Sequence, residues 1–199
     1  RSGSVTGVQT CALPILAFAI FVAELYWKAG NPFQNLAITF LGLIVITIPL
    51  AFFIAIGFMP FGSGEFHAGR MIGYFLILWA ADSGAYFTGK YLGKHALFER
   101  ISPHKTWEGS FGGMLCAQFA AYMVACFISP GIVHWAIMAA IITIAGSFGD
   151  LVKSMMKRSL HIKDSGTILP GHGGMLDRFD SLLGSAPVVF CYLLLKHYG

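Results

Sequence analysis

The chain has 199 residues, of which 56% are hydrophobic and only 11% are charged, and its formal net charge at pH 7 is +4. Because roughly a quarter of the residues in a soluble domain are charged, this composition argues against a typical water-soluble protein. The modest positive charge is divided between two segments, which argues against nucleic-acid binding. The four cysteines form no C-x-x-C pair, so the sequence predicts buried free thiols rather than disulfides or a zinc site.

The first fifteen residues differ in character from the rest of the chain. The first residue, Arg1, is not an initiator methionine, and residues 5–15 (VTGVQTCALPI) look like a translated sequencing adapter. Such segments are set aside before the fold is considered. We therefore expect residues 1–15 to be a non-native leader, and we expect the natural protein to begin further upstream.

Apolar runs along the chain approach or exceed the roughly 20 residues that a helix needs to cross a bilayer. They predict an all-α fold, a polytopic transmembrane helix bundle with about six spans in this fragment. The predicted spans are residues 12–27, 36–59, 71–91, 111–129, 132–151 and 182–196. Most Lys and Arg residues lie in segments 93–109 and 153–178, so the positive-inside rule predicts that both segments face the cytoplasm.

Charged residues interrupt or adjoin the apolar helices, where an unpaired charge is costly. Asp82 follows an apolar run, and Asp177 and Asp180 are three residues apart, so on one helix both could face the same point. The fifth predicted span continues into a polar stripe at helical spacing. Its members are Asp150, Lys153, Ser154, Lys157 and Arg158. Three or four carboxylates could therefore converge.

Converging carboxylates repel one another unless a cation lies between them. Oxygen ligands without accompanying His or Cys spacing favour Mg²⁺, which proteins commonly share with the phosphates of a substrate. The pattern therefore predicts a nucleoside triphosphate substrate. The loop P-G-H-G-G at residues 170–174 has backbone N–H groups suited to phosphate oxygens. Matching positive charge is available from Lys157, Arg158, Lys163 and Arg178.

Each of these residues also has a simpler interpretation when it is considered alone. A basic loop residue can mark membrane topology or contact lipid headgroups. Asp82 can be a helix cap or an ion-pair partner, Asp164 can be a turn residue before Gly166, and His172 can satisfy backbone groups. These interpretations do not explain why acids, bases and glycines are concentrated in one segment of an apolar chain.

Three motifs resemble those of the phosphatidate cytidylyltransferase family, the CDP-diacylglycerol synthases. The longest runs from Ser154 to Asp180 and contains S-M-M-K-R, then K-D, then L-P-G-H-G-G-M-L-D-R-F-D. The others are D-S-G-A-Y, which begins at Asp82, and S-P-H-K-T-W-E-G, which begins at Ser102. A second lysine is frequent in the family where this chain has His104.

The resemblance implies a nucleotidyltransferase that joins CTP to phosphatidic acid and releases pyrophosphate, giving CDP-diacylglycerol for phospholipid biosynthesis. It implies that Mg²⁺ is held by Asp150, Asp177 and Asp180, with a monovalent cation such as K⁺ as a candidate second ion. The implied catalytic residues are Asp150, Asp177, Lys163 and Arg178. The implied substrate-binding residues are Ser154, Lys157, Arg158, Lys105, His172, Gly173, Gly174 and Asp82. A homodimer in a prokaryotic plasma membrane, with its active site facing the cytoplasm, is also expected.

On this interpretation, residues 16–80 are truncated N-terminal membrane helices, and residues 81–199 are the catalytic membrane domain with its signature at 154–180. Two other functions stay open. One is a CTP-dependent lipid kinase of the dolichol or phytol kinase type, which would produce CDP and a phosphorylated lipid. The other is a cation or proton transporter, because transporters also use intramembrane Asp and Lys. A CDP-alcohol phosphotransferase is disfavoured because its D-x-x-D-G motif, followed by A-R, is missing from the sequence.

Overall fold

A computed structural model describes residues 3–27, 30–59, 65–99, 101–159 and 179–198, and their side chains except at 3–13, 103, 104 and 198. These residues form six α-helices and one two-stranded antiparallel sheet. In chain order, the elements are α1 (Gly3–Tyr26), α2 (Pro32–Gly57), α3 (Ala68–Leu92), β1 (Ala96–Phe98), β2 (Ser102–Thr106), α4 (Trp107–Phe127), α5 (Ile132–Ser159) and α6 (Asp180–Tyr198).

The helices confirm the predicted all-α membrane bundle, with one helix for each predicted span. Among the described residues, α2, α4 and α5 are long and apolar enough to cross a membrane, and residues 14–26 form a shorter apolar helix. Helix α5 has 28 residues and is therefore about 42 Å long. Because this length exceeds the ~30 Å of hydrocarbon in a bilayer, its charged last turns can extend beyond the apolar layer.

Contacts divide the chain into two compact units, residues 1–47 and 48–199. In the first unit, the rings of Phe21 and Phe40 lie 5.4 Å apart, and the Asn35 side chain donates a hydrogen bond to Glu24. The second unit contains helices α3 to α6 and the sheet. The functional boundary predicted after residue 80 stays a prediction.

The core of the second unit lies among the helices that carry the charged residues. Helix α3 packs against α4, α4 against α5, and α5 against α6. Large side chains fill the space between them, and Tyr74, Trp135 and Met138 are almost completely buried. The Trp135 ring N–H donates a hydrogen bond to the Ser129 carbonyl at 2.9 Å, so its one polar group has a partner.

Glycines allow α5 and α6 to approach each other at backbone distance. A Cβ atom added to Gly184 would lie 2.6 Å from the carbonyl oxygen of Ala145 and 2.9 Å from the nitrogen of Gly149. No larger residue fits at this crossing without displacing a helix. Small residues at helix contacts are typical of membrane bundles. The crossing brings the part of α5 that carries Asp150 close to the start of α6, where Asp180 lies.

A short hairpin lies in the segment that the sequence analysis treated as a loop, residues 93–109. Strands β1 and β2 pair with Ala96 opposite Thr106. The Glu108 carboxylate accepts hydrogen bonds from the backbone N–H groups of Lys94, at 3.2 Å, and His95, at 3.3 Å. It also lies 2.6 Å from Nδ1 of His95. These contacts join the hairpin to the first turn of α4.

The prediction of buried thiols is wrong for three of the four cysteines. Cys116, Cys126 and Cys191 are free, as expected, but they are exposed on their helices. The reason is that the apolar outer surface of a membrane helix faces lipid, so an apolar run does not show which side chains face the protein interior. The fourth, Cys11, lies among residues whose side chains the structure does not describe.

Candidate active site

A cavity of about 380 Å³ opens among the polar ends of the helices in the second unit. Helices α3, α4, α5 and α6 and strand β2 all contribute to its wall. The described lining residues are Asp82, Ala85, Tyr86, Lys105, Thr106, Gly109, Ser110, Ser147, Asp150, Asp180 and Ser181. Three carboxylates that the sequence analysis predicted to converge, on Asp82, Asp150 and Asp180, therefore line one space.

Lys105 and Asp150 form an ion pair at the cavity wall. The Lys105 Nζ atom lies 2.5 Å from Oδ2 of Asp150 and donates a hydrogen bond to the carbonyl oxygen of Ser147 at 3.3 Å. The Ser154 hydroxyl, one turn after Asp150, donates to Oδ1 of the same carboxylate at 3.4 Å. Lys105 is held near the cavity because the next residue, Thr106, caps α4 by accepting a hydrogen bond from the Gly109 N–H.

Asp180 has two lysine partners, both on α5. Its carboxylate forms an ion pair with Lys153, and Lys157 Nζ lies 3.7 Å from its second oxygen. Lys153 and Asp180 are 7% and 6% exposed, so each would be a buried charge without the other. Burial raises the pKa of the Asp180 carboxyl, which precedes the predicted sixth span, and Lys153 and Lys157 oppose that shift.

Asp82 is connected to the core through hydroxyl groups. The Ser181 hydroxyl donates to Oδ1 of Asp82 at 3.2 Å, and the Ser181 carbonyl accepts a hydrogen bond from the Ser185 hydroxyl at 2.6 Å. The Ser185 oxygen also lies 2.6 Å from the Tyr74 hydroxyl. This chain of contacts runs from the cavity to a buried tyrosine and fixes α6 relative to α3.

Of the other predicted site residues, three lie in the described part of the chain and six lie outside it. Ser154 and Lys157 contact cavity carboxylates, whereas Arg158 is exposed in the last turn of α5 and is outside the described lining. Six predicted residues lie outside the described part of the chain, and their roles stay predictions. They are Lys163, His172, Gly173, Gly174, Asp177 and Arg178.

The donor atoms at the cavity are compatible in kind with the predicted magnesium ion. The described carboxylates supply only oxygen ligands, which Mg²⁺ prefers. Within the described residues, no group of three or more His, Cys, Asp or Glu side chains is close enough to hold a metal. Asp177, a predicted ligand, lies outside those residues, so the metal site stays a prediction.

Two residues with clear contacts at the site were not predicted as site residues. Lys153 belongs to the polar stripe of α5, but the stripe alone did not show that this lysine is the one buried against Asp180. Ser181 follows Asp180, and no spacing in the sequence indicated that its hydroxyl would bond to Asp82. The one available signal was the position of Lys153 in the polar stripe of α5, and Ser181 had none.

The fold and the cavity define an integral membrane protein, a helix bundle with paired acidic and basic side chains around an internal polar space. Residues 3–196 match the model of the Cytidylyltransferase family. The chain belongs to this family, and the resemblance predicted from its motifs is confirmed.

Two curated relatives are named phosphatidate cytidylyltransferase. The protein from Staphylococcus epidermidis is 43% identical over 145 residues, which cover 71% of this chain and 56% of the relative. The protein from Staphylococcus haemolyticus is 35% identical over 193 residues, which cover 96% of this chain and 71% of the relative. The chain thus spans little more than half the length of the first of these relatives.

A solved structure of an intramembrane enzyme for archaeal membrane lipid biosynthesis has a TM-score of 0.46 and 20% sequence identity to this chain. The alignment covers 65% of this chain and 90% of the other.

Proposed function

We propose that this chain transfers a cytidylyl group from CTP to phosphatidic acid, giving CDP-diacylglycerol and pyrophosphate. The observation that carries the proposal is the convergence of Asp82, Asp150 and Asp180 on one cavity, with lysines paired to two of them. Membership of the Cytidylyltransferase family and the names of the relatives support it.

Charge neutralisation is the first task of such a site, because both proposed substrates are anionic and repel each other. Lys105 lies at the cavity wall with 27% of its side chain exposed, so its ammonium group can exchange Asp150 for a phosphate oxygen. Lys157 also lies near a carboxylate of this cavity, with its Nζ atom 3.7 Å from the Asp180 carboxylate. In their predicted roles, Arg158, Lys163 and Arg178 would add positive charge from the segment 153–178.

Asp150 and Asp180, with Asp177, are the residues that would hold Mg²⁺, and a monovalent cation such as K⁺ remains a candidate second ion. When bound, Mg²⁺ supplies charge neutralisation for the phosphates of CTP. The ion pairs from Lys105 and Lys153 hold the Asp150 and Asp180 carboxylates in place.

The proposed reaction forms one P–O bond and breaks another. A phosphate oxygen of phosphatidic acid attacks the α-phosphorus of CTP, the bond from that phosphorus to the oxygen bridging to the β-phosphorus breaks, and pyrophosphate leaves. The second pKa of a phosphomonoester is near ~6, so the attacking oxygen is largely ionised at neutral pH and needs no general base. The protein's contribution is to position the two phosphates and neutralise their charge.

We also propose that the cavity faces the cytoplasm of a prokaryotic cell, from the plasma membrane, and that the protein is a homodimer. The cavity lies at the ends of α3 and α5 that lead into the two segments rich in Lys and Arg. Such segments are retained on the cytoplasmic side of membranes. The homodimer follows from the family resemblance alone.

The test is an assay of the detergent-purified chain with CTP, phosphatidic acid and Mg²⁺, in which pyrophosphate and CDP-lipid are both measured. We expect both products in equal amounts, with neither formed in EDTA. Formation of CDP with a phosphorylated lipid would indicate the lipid kinase, and ion flux without a lipid product would indicate the transporter. If neither this chain nor a version with upstream helices restored forms CDP-lipid, the proposal is wrong.

A further inference from the structure

We propose that an apolar groove between α4 and α5 binds one acyl chain of the phospholipid substrate while the lipid phosphate lies in the polar cavity. This inference rests on the proposed function. The groove has a volume of about 340 Å³. Its wall includes Phe111 and Met114 from α4, and Ile144, Phe148 and Leu151 from α5.

The surface of this groove is suited to hydrocarbon. Apart from three hydroxyl-bearing residues, Ser110, Thr143 and Ser147, its lining is apolar or aromatic. The Thr143 hydroxyl already donates a hydrogen bond to the Ala139 carbonyl of its own helix at 2.8 Å. Its donor is therefore satisfied, and a hydrocarbon chain beside Thr143 does not deprive this hydroxyl of its partner.

The groove adjoins the polar cavity. Ser110 of α4 and Ser147 of α5 line both spaces, so the two share a boundary between the same two helices. A third space, of about 20 Å³, includes both serines together with Thr143 from the groove and Asp82 from the cavity. The change from charged to apolar surroundings thus falls at this pair of serines.

This change in polarity favours a lipid substrate over other occupants. A molecule that fills both spaces must have an anionic group at one end and hydrocarbon at the other, as phosphatidic acid has. A second copy of this chain seated on the groove would cover its apolar wall, but it would not account for the polar cavity that shares two serines with that wall.

The inference predicts that filling the groove impairs use of long acyl chains selectively. Ile144→Trp places a larger side chain in the groove, and Ile137→Trp is the matched control. Both isoleucines lie on α5 with similar exposure, 52% and 41%, but Ile137 is not in the groove lining. The KM for dioleoyl and for dihexanoyl phosphatidic acid would be measured for each variant in mixed micelles.

For Ile144→Trp, we expect the KM for dioleoyl phosphatidic acid divided by the KM for dihexanoyl phosphatidic acid to rise about tenfold. This is the effect of losing the burial of roughly two methylene groups. The kcat and the KM for CTP should stay within twofold of the parent, and Ile137→Trp should leave the ratio unchanged. An unchanged ratio for Ile144→Trp, or an equal rise in both variants, would overturn the inference. A changed oligomeric state with an unchanged ratio would assign the groove to a second copy.

Two further measurements keep the test decisive. If Ile144→Trp does not fold, Met114→Phe probes the groove from α4 with a smaller change. Separately, a phosphatidic acid with a photoreactive group near the end of its acyl chain should label α4 and α5 at the groove, without any need for turnover. Labelling elsewhere would contradict the inference. Failure of the parent chain to turn over either substrate, while the groove is labelled, would instead count against the proposed function.

Discussion

Two cavities at opposite ends of the same helices differ in the charges that they contain. The larger is the polar cavity at Asp82, Asp150 and Asp180. The smaller, of about 220 Å³, is a basic pocket lined by Met59, Arg70, His134, Leu193, Lys196 and His197. Helices α3, α5 and α6 each contribute to both, with one end at the polar cavity and the other at the basic pocket.

The basic pocket shows that cations at helix ends can be structural. Arg70 donates hydrogen bonds to the carbonyl oxygens of Ile56, in the last turn of α2, and of Met59, two residues after that helix ends. His134 lies 3.1 Å from the Tyr192 hydroxyl, and the two rings stack. Carboxylates are missing from the described lining of this pocket. The combination of acid and base, rather than positive charge alone, thus distinguishes the polar cavity as the candidate active site.

The largest effect is expected from breaking the buried ion pair. Among the described residues, Lys153→Met leaves the buried Asp180 carboxylate with the more distant Lys157, and we expect the free energy of unfolding to fall by about 3–5 kcal/mol. The measurement is SDS-induced unfolding in mixed micelles. Lys94→Met removes an exposed lysine as a control and should change stability by less than ~0.5 kcal/mol. Equal losses would show that Lys153 has no special role.

Asp150→Asn tests whether the carboxylates of the polar cavity are functional. The amide keeps the size of the side chain but removes the charge that pairs with Lys105, so we expect kcat to fall by about 10²-fold or more with an unchanged melting temperature. Glu65→Gln, which changes a carboxylate just before α3 and outside the polar cavity, should alter kcat less than twofold. Near-normal activity of Asp150→Asn would remove this carboxylate from the site.

A smaller effect is expected at Lys105, which can exchange Asp150 for a phosphate oxygen. Lys105→Met should raise the KM for CTP about tenfold, in keeping with the loss of one charge-assisted hydrogen bond. The KM for CTP is measured for Lys105→Met, for Asp150→Asn and for the double variant. Comparison of the three gives the coupling between the two residues. If their effects simply add, the ion pair at 2.5 Å is not the route by which Lys105 acts.

The smallest effect is expected in the basic pocket. Lys196→Met removes a cation from its wall, and we expect kcat and both KM values to stay within twofold of the parent. The measurement is the same product assay at saturating and limiting substrate. A tenfold loss would break the contrast between the two cavities and assign the basic pocket a part in turnover.

The sequence predicted the helices because span length is a local property, and it predicted the convergence of three carboxylates because unpaired charges are costly in apolar helices. Asp150 and Asp180 were found in this way and do line one cavity. The partner of Asp180 was not found, because spacing gives the face of a helix but not which neighbouring helix that face meets. The hairpin at residues 96–106 was missed for a similar reason, since Glu108 holds it from the following helix.

The crossing of α5 and α6 at Gly149 and Gly184 bears on how the protein responds to its membrane. Bilayers differ in thickness, and helices adjust to this by tilting. At this crossing, backbone meets backbone, so there is no side chain that could change rotamer and let the helices slide. We expect tilt to open the distant ends of α5 and α6 while the crossing acts as a fixed pivot. Asp150 and Asp180 lie within a turn or so of that pivot, which would keep their separation nearly independent of lipid composition.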